Sequence, residues 1–227
     1  MSRNIFIAGT GTDVGKTFVA GLIVKKLYMS GRKAAYYKAA MSGNVRGTDG
    51  RLIPQDALCV KQMSGISQGT SDMCPYVYEN AVSPHLASRI EGNPVRMDVV
   101  KQCFQKVCSE YEYVTVEGSG GILCPICVDG EKIFLEDIIR ELGLPSVIVA
   151  DAGLGTINHV GLTADYMRRR GLPVKGIIFN HWQPGNIMQE DNRAMCEMIT
   201  GLKVLACVKE GAEELDMDED SLAGLYE

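Results

Sequence analysis

Long apolar runs are missing from this 227-residue chain. None approaches the roughly 18 residues of a membrane-spanning helix, so no membrane partner is expected. The opening Met1-Ser2-Arg3-Asn4 leads into a short strand-like segment instead of the apolar stretch of a signal peptide, which makes the cytoplasm the expected location. A basic excess is missing too. The 23 Lys and Arg are outnumbered by 28 Asp and Glu, giving a net charge of −5. That balance excludes broad attraction to nucleic acid and leaves any bound anion to a local site. The eight cysteines are scattered without the density of a secreted disulfide scaffold, and they read as reduced thiols. Cys124-Pro125-Ile126-Cys127 has the spacing of a redox or zinc pair, but no second CxxC accompanies it, so it reads as structural. Repeats, low-complexity tracts and an interdomain linker are also lacking. With 46% hydrophobic and 22% charged content, residues 1–227 read as one domain with an acidic tail from about residue 210. From Glu210 onward there are eight acidic residues and no Lys or Arg, the pattern of a solvated end to which no chemistry is assigned.

What is present is a series of short apolar runs: Ile5 to Ala8, Ala34 to Tyr37, Tyr113 to Val116, Ser146 to Ala150, Val174 to Phe179 and Val204 to Cys207. They are continuous rather than alternating, as strands covered on both faces are, and helix-like segments separate most of them. One such segment runs from Thr17 to Ser30 and stops at Gly31. Another places Ile157, Val160, Gly161, Ala164 and Met167 on one face before Gly171. The expected fold is α/β, a doubly wound and mainly parallel sheet with helices on both faces, of the P-loop NTPase kind.

The strongest local signal is Gly9-Thr10-Gly11-Thr12-Asp13-Val14-Gly15-Lys16-Thr17, directly after the first strand and opening the first helix. Backbone N–H groups of such a turn and the positive helix end cradle phosphate oxygens; Lys16 neutralises β/γ charge, and the Thr17 hydroxyl can ligate Mg²⁺. The spacing is a variant, since five residues separate Gly9 from Gly15 and three separate Gly11 from Gly15. A partition-type ATPase loop would carry a lysine near its start, where this chain has Thr10 and Gly11.

This loop resembles that of the dethiobiotin synthetases, Gly-Thr-x-Thr-x-Val-Gly-Lys-Thr. The resemblance continues in order through Tyr37 to Gly43, Asp56-Ala57-Leu58, Ser83-Pro84-His85, Val116 to Gly121, Gly155 to His159, and Asn180. It implies a ligase of biotin biosynthesis that closes a cyclic urea from 7,8-diaminopelargonic acid and carbon dioxide. ATP would be the co-substrate and Mg²⁺ the only cofactor. It assigns catalysis to Lys38, Lys16 and Thr12. The nucleotide falls to Asp13, Val14, Gly15, Lys16, Thr17, Phe18, Asp56, Glu117, Gly118, Ser119, Gly120 and Asn180, and the metal to Thr17, Asp56 and Glu117. The substrate falls to Thr12, Lys38, Ser42, Gly121, Leu154, Gly155, Thr156 and Asn158, the last four reached across a homodimer interface.

Taken one by one, several of these residues keep plainer readings. Lys38 could be an exposed lysine at a strand end, Asp56 a carboxylate at a helix start, Gly155 to Asn158 a helix cap, and Asn180 a turn former. His85 and His159 read as residues that orient loops or caps, and Arg168 to Arg170 as a solvated last helical turn. The chain departs from the family pattern at Ala39, where proline is frequent, and at Cys207-Val208-Lys209-Glu210, where a proline is common near the base. A nucleotide-switched partition-type ATPase and a small-molecule kinase are the rival functions, because a phosphate loop does not name the acceptor.

Overall fold

The computed structural model describes residues 2–226; Met1 and Glu227, which the one-domain reading includes, lie outside them. All six apolar runs form strands: β1 (Arg3–Gly9), β2 (Ala34–Lys38), β3 (Tyr113–Glu117), β4 (Ser146–Asp151), β5 (Val174–Asn180) and β6 (Val204–Cys207). They make one parallel sheet in the order β6-β5-β4-β1-β3-β2. Two-residue and three-residue strands form three small ribbons outside it.

The helices are α1 (Lys16–Met29), α2 (Gln55–Ser64), α3 (Thr70–Met73), α4 (Pro84–Ile90), α5 (Met97–Glu110), α6 (Leu135–Leu142), α7 (Thr156–Arg169), α8 (Ile187–Thr200) and α9 (Glu219–Ala223). Two apolar layers explain why the strand runs are continuous. Phe6, Ala8, Ile148 and Ala150 pack on one face with Val100 and Phe104 of α5, Ile138 of α6 and Val160 of α7. Ile5, Ile7, Val147 and Val149 pack on the other with Leu22 and Ile23 of α1, Val60 of α2 and Leu222 of α9. Alternate residues of one strand therefore enter different cores, and neither face needs a polar residue.

The tail corrects one expectation. Its acidic side chains are mostly exposed, but Leu215, Leu222, Ala223 and Tyr226 are buried in the α1 layer. The Tyr226 hydroxyl lies 2.7 Å from Thr115 Oγ1 on β3, and Arg32 pairs with Asp220 at 2.9 Å. The acidic composition describes the outer side of a docked segment.

Candidate active site

Parallel pairing brings all six strand C-termini to one edge, the edge where open α/β sheets hold ligands. From β1 the chain turns through Thr10 to Gly15, with Asp13 at φ 60° and Gly15 at φ 83°, and enters α1 at Lys16. Only glycine fits at position 15. Its φ is left-handed, and a Cβ would stand 1.9 Å from Asn180 Nδ2. No side chain caps α1 and its first turn has no acidic residue, so its leading N–H groups and positive dipole end are left for an anion.

Lys16 turns back over this loop and donates to the Gly11 carbonyl at 2.8 Å. Burial lowers its pKa, and the charge of Lys38 adds to that, against the raising influence of Glu117 and Asp56. Lys38, at the end of β2, is 6% exposed. Its Nζ donates to Asp56 Oδ2 at 2.7 Å and to Glu117 Oε1 at 2.6 Å. Burial opposes its charge, but the Glu117 and Asp56 carboxylates outweigh that and hold its pKa above the ordinary lysine value. Glu117 ends β3, directly beside Lys38 in register. Its Oε1 also accepts from Thr17 Oγ1 at 2.9 Å, and its Oε2 accepts from the Tyr36 hydroxyl at 2.7 Å. Asp56, in the first turn of α2, completes the group.

A cavity of about 1050 Å³ opens on these residues. Thr12, Asp13, Gly15, Lys16, Thr17, Phe18, Lys38, Ser42, Asp56, Glu117, Ser119 and Gly120 all line it. Other expected residues form its support. Val14 is buried and its carbonyl accepts from Asn180 Nδ2 at 3.2 Å. Gly118 lets β3 pass the Phe6 ring, where a Cβ would come within 2.8 Å, and Gly121 lies along the Thr10-Gly11 backbone. Asn180 is 2% exposed, and its Oδ1 has no hydrogen-bond partner. Leu154, Gly155, Thr156 and Asn158 are not on the cavity wall of this chain. They sit at the start of α7, where Gly155 has φ 92°, no side chain caps the helix, and the buried Thr156 hydroxyl is unpartnered.

Sequence reading missed three neighbours. Tyr36 reads there as packing, although strand alternation puts it on the face of Lys38. Cys124, read as structural, lines the cavity, while Cys127 is fully buried; both thiols are free. His181 Nδ1 lies 2.5 Å from Asp151 Oδ2, and its Nε2 lies 3.2 Å from Asn180 Nδ2. His85 meets the Ser83 hydroxyl at 3.0 Å, in keeping with a loop-orienting role. No group of three or more His, Cys, Asp or Glu residues placed to hold a metal occurs among the described residues.

A family model described as an AAA domain matches residues 3–214. Among solved structures, a ParA family ATPase from Chlorobium tepidum is similar with a TM-score of 0.55 at 14% identity, covering 99% of this chain and 87% of that one. The MinC:MinD cell division protein complex of Aquifex aeolicus gives 0.56 at 13%, covering 93% and 83%. Likeness at that identity is one of fold; the AAA-domain match over residues 3–214, with the glycine-rich turn between β1 and α1, defines an α/β protein of the P-loop class. The chain is also 47% identical over 228 residues to the ATP-dependent dethiobiotin synthetase of Brachyspira hyodysenteriae, covering 100% of both chains. It is 43% identical to that of Clostridium perfringens, covering 96% of each. The chain belongs to the dethiobiotin synthetase family.

Proposed function

We propose that this chain closes the cyclic urea of dethiobiotin from 7,8-diaminopelargonic acid, carbon dioxide and ATP. The observation that carries this reading is the ammonium of Lys38 bridging Asp56 and Glu117 at the mouth of the phosphate turn, with Thr17 on the same Glu117 oxygen. A second cation facing a phosphate loop suits transfer of a phosphoryl group to an anionic acceptor, where positioned positive charge stabilises the charge that develops.

Thr17, Asp56 and Glu117 offer only hard oxygen donors, which fits Mg²⁺, and these three residues would hold it. Bound there, the ion would withdraw charge from the β- and γ-phosphate oxygens. Lys16 and the free N–H groups of α1 hold the phosphates, with Asp13, Val14, Gly15 and Phe18 shaping the turn and Thr12 reaching toward the acceptor. Gly118, Ser119 and Gly120 border the nucleotide, and Asn180 reads the base with its unpaired amide oxygen. One substrate amine, carboxylated by carbon dioxide, attacks the γ-phosphorus of ATP as a carbamate held by Lys38 and Ser42; the new O–P bond forms as the bond to the β-phosphate oxygen breaks, and ADP leaves. The second amine attacks the resulting carbamic-phosphoric anhydride, forms the C–N bond of the ring and expels phosphate. The residues chiefly position the reactants and neutralise charge.

The distal carboxylate of the diamine belongs at Gly121 and, from a second copy of the chain, at Leu154, Gly155, Thr156 and Asn158. Supporting a homodimer, Leu154 and Ile187 are 90% and 84% exposed, and Leu162 and Ile199 lie exposed on the adjacent helices α7 and α8. No described helix is long and apolar enough to cross a membrane. The test is to mix protein, MgATP, bicarbonate and diamine and to follow dethiobiotin and phosphate together. Diamine-dependent formation of both supports the reading. Hydrolysis that ignores the diamine would point to a switch ATPase, and a stable phosphorylated product to a kinase.

A further inference from the structure

We propose that Tyr36 is a positioning residue for Glu117. Its phenol fixes one oxygen of that carboxylate, so that the other is presented to Thr17, Lys38 and the metal. The inference rests on the reading of Glu117 as a metal ligand and adds a residue to it.

The geometry begins with strand register. Tyr36 pairs with Thr115 and Lys38 with Glu117 across β2 and β3, so all four side chains share one sheet face. Tyr36 and Glu117 are diagonal neighbours, a separation that a long aromatic side chain spans. The phenol donates to Glu117 Oε2 at 2.7 Å, whereas both Thr17 and Lys38 donate to Oε1. The two carboxylate oxygens thus have separate partners. The side chain of Glu117 is only 1% exposed, so water does not compete for Oε2. Without the phenol, Oε2 would be a buried acceptor lacking a donor. Rotation of the carboxylate toward Lys38 or Thr17 would then relieve it and displace Oε1.

Tyr36 is itself held at both ends. Its backbone N–H donates to Gln68 Oε1 at 2.9 Å, and Gln68 Nε2 donates to its carbonyl at 3.0 Å. Gln68 is 1% exposed, as fixed as a core residue. Burial, with the negative charge of Glu117 and Asp56, raises the phenol pKa well above the ordinary value. Partners that orient a metal-binding carboxylate commonly alter metal affinity by ten- to a hundredfold.

The experiment measures free Mn²⁺ by electron paramagnetic resonance in the presence of protein and a non-hydrolysable ATP analogue. Tyr36→Phe keeps the ring and removes only the hydroxyl, and it is expected to raise the Mn²⁺ Kd about tenfold. Tyr37→Phe is the control for simple loss of a buried hydrogen bond, since the Tyr37 hydroxyl donates to the Val100 carbonyl at 2.8 Å, away from Glu117. It should leave the Kd unchanged. Glu117→Gln should weaken Mn²⁺ binding at least as much as Tyr36→Phe. If Glu117→Gln weakens binding while Tyr36→Phe stays within about twofold of the parent, the positioning role is wrong and the metal reading stands. If Glu117→Gln has no effect, both fall. An equal loss in Tyr37→Phe also overturns the role. Should Tyr36→Phe not fold, Gln68→Leu decides in its place: a raised Kd supports the brace, and an unchanged Kd overturns it.

Discussion

In the proposed reaction, Lys38 is the residue on which chemistry and stability meet. Replacing it with alanine removes the charge facing the phosphate turn and leaves Asp56 and Glu117 without their shared ammonium. Turnover should fall at least about a hundredfold. Stability should fall by about 2 kcal/mol, less than for a fully buried pair because the Asp56 side chain is 34% exposed. Steady-state kinetics and urea unfolding check the two effects. Because the folded-state pKa of Lys38 lies above that of a free lysine, its stabilisation is complete below about pH 10 and fades only as the pH climbs through the raised value. The difference in unfolding free energy between the parent and Lys38→Ala should therefore stay flat from about pH 7 to 9.5; a difference gone by pH 9 would contradict the pairing. Lys38 was legible in the sequence through the motif around it. Tyr36 was not, because a tyrosine in a strand covered on both faces carries no mark of which side it serves.

At the level of elements, the turn between β1 and α1 was readable in full, since its glycines, lysine and threonine have backbone and charge requirements that few other settings impose. Gly15→Ala should test this directly. The left-handed φ and the approach to Asn180 leave no room for a methyl group, so nucleotide affinity should fall more than tenfold in calorimetry, with a stability loss of about 2 kcal/mol or more. The start of α7 was less readable. The sequence ties Gly155 to Asn158 to the substrate only through resemblance, and within one chain the structure sets them apart from the cavity wall. Under the proposed function, their part in the reaction depends on a second chain. A charge at the exposed apolar face, as in Ile187→Asp, should convert a dimer to a monomer in light scattering and reduce turnover with it, leaving the fold intact by circular dichroism.

Over the whole molecule, composition described the tail's solvent side and concealed its core side. Leu215, Leu222 and Tyr226 are a minority among acidic neighbours, and the Tyr226 contact with Thr115 links positions 111 apart, beyond any local pattern. Tyr226→Ala should cost about 3 kcal/mol or more, read as a lower Tm, because it empties a buried site against Tyr113 and Thr115. The sheet order carries a further consequence. The strand that delivers Lys38 is one of the sheet's two edge strands, and edge strands are where foreign chains add themselves and where backbone amides exchange fastest. At Tyr36 the Gln68 carboxamide occupies the place another strand's peptide group would take, a one-residue imitation of a neighbour. Residues 34–38 should accordingly show slow deuterium uptake at Tyr36 in the parent, and losing that amide should expose the strand to fibrillar self-association.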